Sequence, residues 1–121
     1  MCGIIALFGE EVEAGYHLLH HRGPDDYSTR TLGKCRMDFY RLAINDLTPT
    51  GMQPFKSEKS MLMCNGEIYN HKKFRTGIEK GTSDCEVLIP MIEYFGVLET
   101  LDVITGDFAF VYTDGKKVIA A

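Results

Sequence analysis

Apolar and polar positions change their spacing along this chain, and the changes divide it into short elements. Residues 4–8 (Ile-Ile-Ala-Leu-Phe) and 60–64 are brief apolar runs, which predict buried strands. Residues 27–32 and 35–44 read as extended segments joined by a tight turn at Gly33-Lys34. Residues 107–112 and 117–121 alternate on either side of Asp114-Gly115, a hairpin pattern. Helical spacing appears at residues 10–20, where Val12, Tyr16 and Leu19 share one face until His21-Arg22-Gly23-Pro24 breaks it. Ser83 with Glu86 has the form of a capping box, opening a helix that buries Val87, Leu88, Met91, Ile92 and Phe95 and ends at Gly96. Pro90 inside it lacks a backbone donor and predicts a kinked or shortened helix. A second short helix fits residues 97–104. Residues 45–55, with Pro49, Gly51 and Pro54, read as loop, and Asn65-Gly66 predicts a sharp turn after the 60–64 strand. Residues 67–74 are of mixed character and receive no assignment.

Composition narrows the class without naming a function. The 121 residues suffice for one domain with a hydrophobic core, and 45% apolar with 25% charged residues is ordinary for a globular protein. A formal charge of −4 without a basic block gives no case for nucleic acid. Apolar runs fall well short of the roughly 18 residues of a membrane span, so no membrane partner is expected. The first apolar run has no basic segment before it, so no signal peptide is expected either. Cys2, Cys35, Cys64 and Cys85 are scattered with no C-x-x-C pair, which predicts free thiols in a reducing cytoplasm. A zinc site using them with His20 or His21 lacks the short ligand pair that anchors such sites, so no metal is expected.

Chemistry enters at the second residue. Met1 is readily removed before a side chain as small as Cys, and removal leaves Cys2 with a free α-amine beside its own thiol. The ordinary pKa values are about 7.7–8.0 for such an amine and about 8.5 for a thiol. Near neutrality the amine is partly unprotonated and can take the thiol proton, so one residue carries nucleophile and base. Amide hydrolysis by a thiol also needs donors for the oxyanion, and Asn65-Gly66 offers a side-chain amide and an unobstructed backbone N–H. An amino-acid substrate needs its carboxylate and ammonium held. Arg41 suits the first as a bidentate fork, and Asp84 the second. Each residue also has a plain reading: a small buried Cys, a simple turn, a surface Arg, and an Asp complementing a helix dipole.

The motifs in sequence remove that independence. Met1-Cys2-Gly3-Ile4, His21-Arg22-Gly23-Pro24-Asp25, Arg41-Leu42-Ala43-Ile44, Gln53-Pro54, Asn65-Gly66-Glu67-Ile68-Tyr69-Asn70-His71, Ser83-Asp84-Cys85-Glu86-Val87 and Gly106-Asp107-Phe108-Ala109-Phe110 occur in that order. The chain resembles the class II, N-terminal-nucleophile glutamine amidotransferases, and most closely the glutaminase domain of glutamine-hydrolysing asparagine synthetases. The resemblance implies that Cys2 attacks the side-chain amide of glutamine, giving a glutamyl thioester and ammonia, and that water releases glutamate. It implies that the α-amine of Cys2 is the base, that Asn65 and Gly66 form the oxyanion hole, and that Arg41 holds the glutamine carboxylate. Asp84 and Glu67 match acidic residues around the α-amino group, and Ile44 matches the pocket wall. The segment from His21 to Asp25 matches an architectural motif.

The same resemblance implies an α+β fold, a four-layer αββα sandwich with two antiparallel sheets between helices. It makes residues 1–121 an amidotransferase domain that stops short of the family's usual C-terminal strands. The first helix is trimmed, residues 71–83 are compact, and Asn45 stands where the family usually has an aliphatic residue. An ATP-binding synthetase half is absent from the sequence, so ATP and magnesium would belong to a separate domain and no cofactor is expected in this one. The expected partner is an ammonia-accepting synthetase domain or subunit. Two other readings stay open: a non-catalytic, shortened amidotransferase-like domain that a partner completes, and a structural Cys/His protein that binds zinc stoichiometrically.

Overall fold

A computed structural model of the chain describes residues 1–9, 16–44 and 46–121. Its strands are β1 (Gly3–Phe8), β2 (Asp26–Leu32), β3 (Cys35–Arg41), β4 (Phe55–Lys56), β5 (Met61–Ile68), β6 (Gly106–Thr113) and β7 (Val118–Ala120). Its α-helices are α1 (Leu88–Phe95) and α2 (Val97–Val103). The strands form two antiparallel sheets, one ordered β1-β3-β2 and the other β4-β5-β6-β7. The fold class is thus α+β.

The apolar run at β5 explains how the layers stack. Strand side chains alternate between faces, so Met61 and Met63 point one way and Leu62 and Cys64 the other. Met61 and Met63 pack with Cys35, Met37 and Phe39 of β3, together with Ile4, Val111 and Val118, to fill the space between the sheets. Leu62 and Cys64 join Phe110 and Tyr112 in a second core against Leu88, Ile89, Met91 and Ile92 of α1. A strand buried on both faces has no polar positions to spare, which is why this stretch reads as continuous rather than alternating. The outer face of the first sheet carries the 3-10 segment Tyr16–Arg22, whose Leu19 lies over Gly3 and Tyr40. The helix expected over residues 10–20 falls largely on residues 10–15, outside the described residues.

Local differences from the sequence reading have identifiable causes. Asn65-Gly66 is not a turn: β5 runs through it to Ile68, because β6 pairs the whole stretch and Gly66 meets the unusual backbone angle, φ +147°, without a side chain. β3 stops at Arg41 instead of reaching Ile44, since the Asp25 carboxylate takes the Ala43 N–H at 2.8 Å. The capping box is not formed. Ser83 makes no side-chain cap, and the Glu86 carboxylate instead accepts from the N–H groups of Lys80 (2.6 Å) and Gly81 (2.9 Å). That segment begins as a 3-10 turn, Asp84–Val87, before α1. Pro90 then falls in the first turn of α1, where its missing N–H breaks no bond within the helix.

Candidate active site

The end of β3, the residues leading into β1 and the C-terminal half of β5 converge on one cavity of about 260 Å³. Cys2, Arg41, Ile44, Asn65, Gly66, Glu67 and Asp84, the residues singled out from the sequence, all line it. Cys2 precedes β1 in the first sheet. Its Sγ accepts the Leu42 N–H at 3.3 Å, and its carbonyl accepts Arg22 Nε at 3.4 Å. Arg22 belongs to the His21-Arg22-Gly23-Pro24-Asp25 turn, which Asp25 ties to β3 through a bond from its N–H to the Arg41 carbonyl at 3.0 Å. Gly23 permits that docking: a Cβ there would sit 2.6 Å from the Arg41 nitrogen and closer still to the Tyr40 carbonyl.

Asn65 and Gly66 come from the facing sheet. Antiparallel strands send successive N–H groups to opposite edges. On β5 the Cys64 N–H points to the β4 edge, where Gln53 Oε1 accepts it at 2.6 Å, and the Ile68 N–H points the same way, to Asp84 Oδ2 at 2.6 Å. Gly66, midway between them, aims its N–H to that same edge, which there borders the cavity. Oδ1 of Asn65 is buried without a hydrogen-bond partner. Buried polar atoms are normally paired, and this oxygen is an exception.

The charged residues are held from behind. Nη2 of Arg41 donates to the carbonyls of Asp46 and of Thr48, the latter at 2.9 Å, which orients the guanidinium within the cavity wall. Asp46 anchors that loop. Its Oδ1 accepts the N–H and hydroxyl of Thr48 at 2.9 and 2.5 Å, and its Oδ2 accepts the Thr82 N–H at 2.8 Å. Burial opposes ionisation of Asp46, and these bonds outweigh it, lowering its pKa to about 2. Asp84 is buried and its Oδ2 is engaged by Ile68, whereas Glu67 is exposed at the rim and Ile44 is 67% exposed. Tyr69 and Asp107 complete the rim, with the phenol donating to Asp107 Oδ2 at 2.5 Å, a bond that raises the Tyr69 pKa. Cys64 and Cys85 form the floor. The Cys85 thiol is hydrogen-bonded to Cys64 and buried, and both effects raise its pKa.

The family model for the glutamine amidotransferase domain matches residues 1–120. The chain belongs to that family. The amidotransferase domain is 37% identical over 134 residues to human glutamine-hydrolysing asparagine synthetase, an alignment covering 98% of this chain and 24% of that protein. It is 34% identical over 134 residues to a Bacillus subtilis glutamine-hydrolysing asparagine synthetase, covering 97% of the chain and 18% of the relative. Against the amidase chyE of Penicillium rubens it is 33% identical over 115 residues, covering 89% and 17%. The chain thus spans a quarter or less of the length of these relatives.

Sequence reasoning passed over several residues of the amidotransferase cavity. Asp46, Tyr69 and Asp107 line it, yet nothing about an isolated Asp in a loop or an Asp inside a strand motif marks a site. Gln53 lines it too, and its one signal was membership of the Gln53-Pro54 motif. Among the described residues no group of three or more His, Cys, Asp or Glu is placed to hold a metal ion, and no helix is long and apolar enough to cross a membrane.

Proposed function

We propose that this domain hydrolyses glutamine to glutamate and ammonia through a thioester on Cys2. The observation that carries the reading is that one cavity receives a thiol from the first sheet and the Asn65-Gly66 stretch from the facing sheet. Family membership supports it. With Met1 in place the nitrogen of Cys2 is a peptide nitrogen and has no basicity, so the mechanism requires Met1 to be removed. The free α-amine then takes the thiol proton, and Sγ attacks the side-chain carbonyl carbon of glutamine. The oxyanion is received by the Asn65 amide and the Gly66 N–H. The proton passes from the α-ammonium to the departing nitrogen, and ammonia leaves. Water, activated by the same amine, then cleaves the thioester and frees the thiol.

Arg41 pairs with the α-carboxylate of glutamine, since a planar fork already oriented by backbone carbonyls loses little freedom on binding. Asp84 and Glu67 attract the α-ammonium, and Ile44 closes the apolar side. No cofactor takes part in these steps. The stacked sheets, with the 3-10 segment Tyr16–Arg22 on one outer face and α1 and α2 on the other, support the four-layer arrangement of N-terminal-nucleophile hydrolases. The names of the relatives support an asparagine-synthetase-like acceptor for the ammonia, on a separate domain or subunit that would carry the ATP and magnesium chemistry. Four free thiols suit a reducing cytoplasm. The test is glutamate release from glutamine by the purified chain. Turnover that vanishes in Cys2→Ala supports the reading, and turnover that persists in that variant refutes it.

A further inference from the structure

Gln53 is a cavity-lining side chain that the steps above leave without a task. It is 6% exposed. β4 pairs with β5 as Phe55↔Leu62 and Lys56↔Met61, and this register continued backwards would set residue 53 opposite Cys64. The backbone pairing is not continued there. The Gln53 side-chain amide takes its place, accepting the Cys64 N–H at Oε1 (2.6 Å) and donating Nε2 to the Cys64 carbonyl (3.1 Å). One planar amide thus satisfies both backbone groups of the residue next to Asn65. The Gln53 carbonyl, in turn, accepts the hydroxyl of Ser28 on β2, in the other sheet. Gln53 therefore bonds to both sheets, at the end of β5 where the proposed oxyanion donors lie.

We infer that Gln53 is a positioning residue, which holds the Asn65-Gly66 donors of one sheet at working distance from the Cys2 thiol of the other. The inference rests on the proposed glutaminase reading. The donors and the nucleophile sit on separate layers, so a shift of the paired β5 and β6 relative to the first sheet would move the donors without touching Cys2. A misplacement of about 1 Å in such a site costs on the order of a hundredfold in rate.

The test compares wild type with Gln53→Met, which keeps the length and loses both bonds, and Gln53→Glu, which keeps an acceptor and loses the donor. Thermal melts establish folding. Expected is a fall in kcat of about tenfold or more with KM within about threefold, while the rate at which iodoacetamide alkylates Cys2 is unchanged, because that reaction needs no oxyanion donors. A kcat within twofold of wild type in a folded variant overturns the inference. So does a parallel loss of kcat and Cys2 alkylation, which would mean that the nucleophile or the whole fold had moved. If neither variant folds, Gln53 is a folding determinant and the assignment falls. If wild type itself releases no glutamate, the glutaminase reading fails separately, and amide hydrogen exchange at Cys64, Asn65 and Gly66 then decides. Exchange faster by about tenfold or more in Gln53→Met supports the clasp on β5, and unchanged exchange overturns it.

Discussion

Replacing Gly66 by Ala tests the geometry of β5 at its most constrained point. Two costs add. The backbone sits at φ +147°, a region nearly reserved for glycine, and a non-glycine residue there costs about 1–3 kcal/mol. The new Cβ would also lie 2.5 Å from Phe108 Cα and 2.9 Å from Phe108 Cβ, and closer still to the Asp107 carbonyl. These are mostly main-chain atoms of the paired strand, so no rotamer change relieves the clash and β6 itself must shift, an overpacking cost of about 1–3 kcal/mol or more. The sum, about 2–6 kcal/mol, is a large part of the roughly 5–15 kcal/mol that holds a domain folded. Gly77→Ala is the built-in control: φ is +83° but nothing lies within 4 Å of the added carbon, so only the backbone cost applies. Urea unfolding of both variants reads the difference directly. Gly66→Ala should lose clearly more stability than Gly77→Ala, and what remains folded should hydrolyse glutamine poorly because the Gly66 N–H has moved. Equal losses in the two variants would refute the packing described for β5 and β6.

Three further outcomes follow from the same geometry. Arg41→Lys should raise KM for glutamine by about tenfold or more, because a compact ammonium cannot span the Asp46 and Thr48 carbonyls and the substrate carboxylate as the planar guanidinium does, and titration with glutamine checks it. Asp46, with its pKa lowered to about 2 from an ordinary value near 3.9, contributes stability that is complete above the ordinary value and is lost as pH falls through the lower one. The stability gap between wild type and Asp46→Asn should accordingly narrow between about pH 4 and pH 2, measured by urea unfolding at each pH. Alkylation at pH 8 under native conditions should label Cys2 well before Cys35, Cys64 and Cys85, which are all buried, and peptide mapping of the labelled protein checks the order.

Much of the fold was legible because local pattern and tertiary role agree. The β2–β3 and β6–β7 hairpins lie where alternation and the Gly33-Lys34 and Asp114-Gly115 turns indicate, and Gly96 separates α1 from α2 as expected. What was not legible came from long-range competition for hydrogen bonds. Asn65-Gly66 carries a strong turn signal, yet pairing with β6 on one edge, flanked by Gln53 and Asp84 on the other, holds it extended. Ser83 and Glu86 have capping-box spacing, but the Lys80 and Gly81 N–H groups compete for the carboxylate and win it. The residues proposed for catalysis were found through their order in the sequence. Their supports were not, because Asp46 and Gln53 act through backbone groups that a linear pattern does not display.

The most direct measurement follows the acyl group. The purified chain is mixed with isotopically labelled glutamine, quenched in acid within the first turnover, and mapped by mass spectrometry. The account predicts labelled acyl on the N-terminal peptide, attached through the thiol of a Cys2 that has lost Met1, and no label in Cys2→Ala. Glutamate release from a chain that retains Met1, or label carried by any residue other than Cys2, would contradict it.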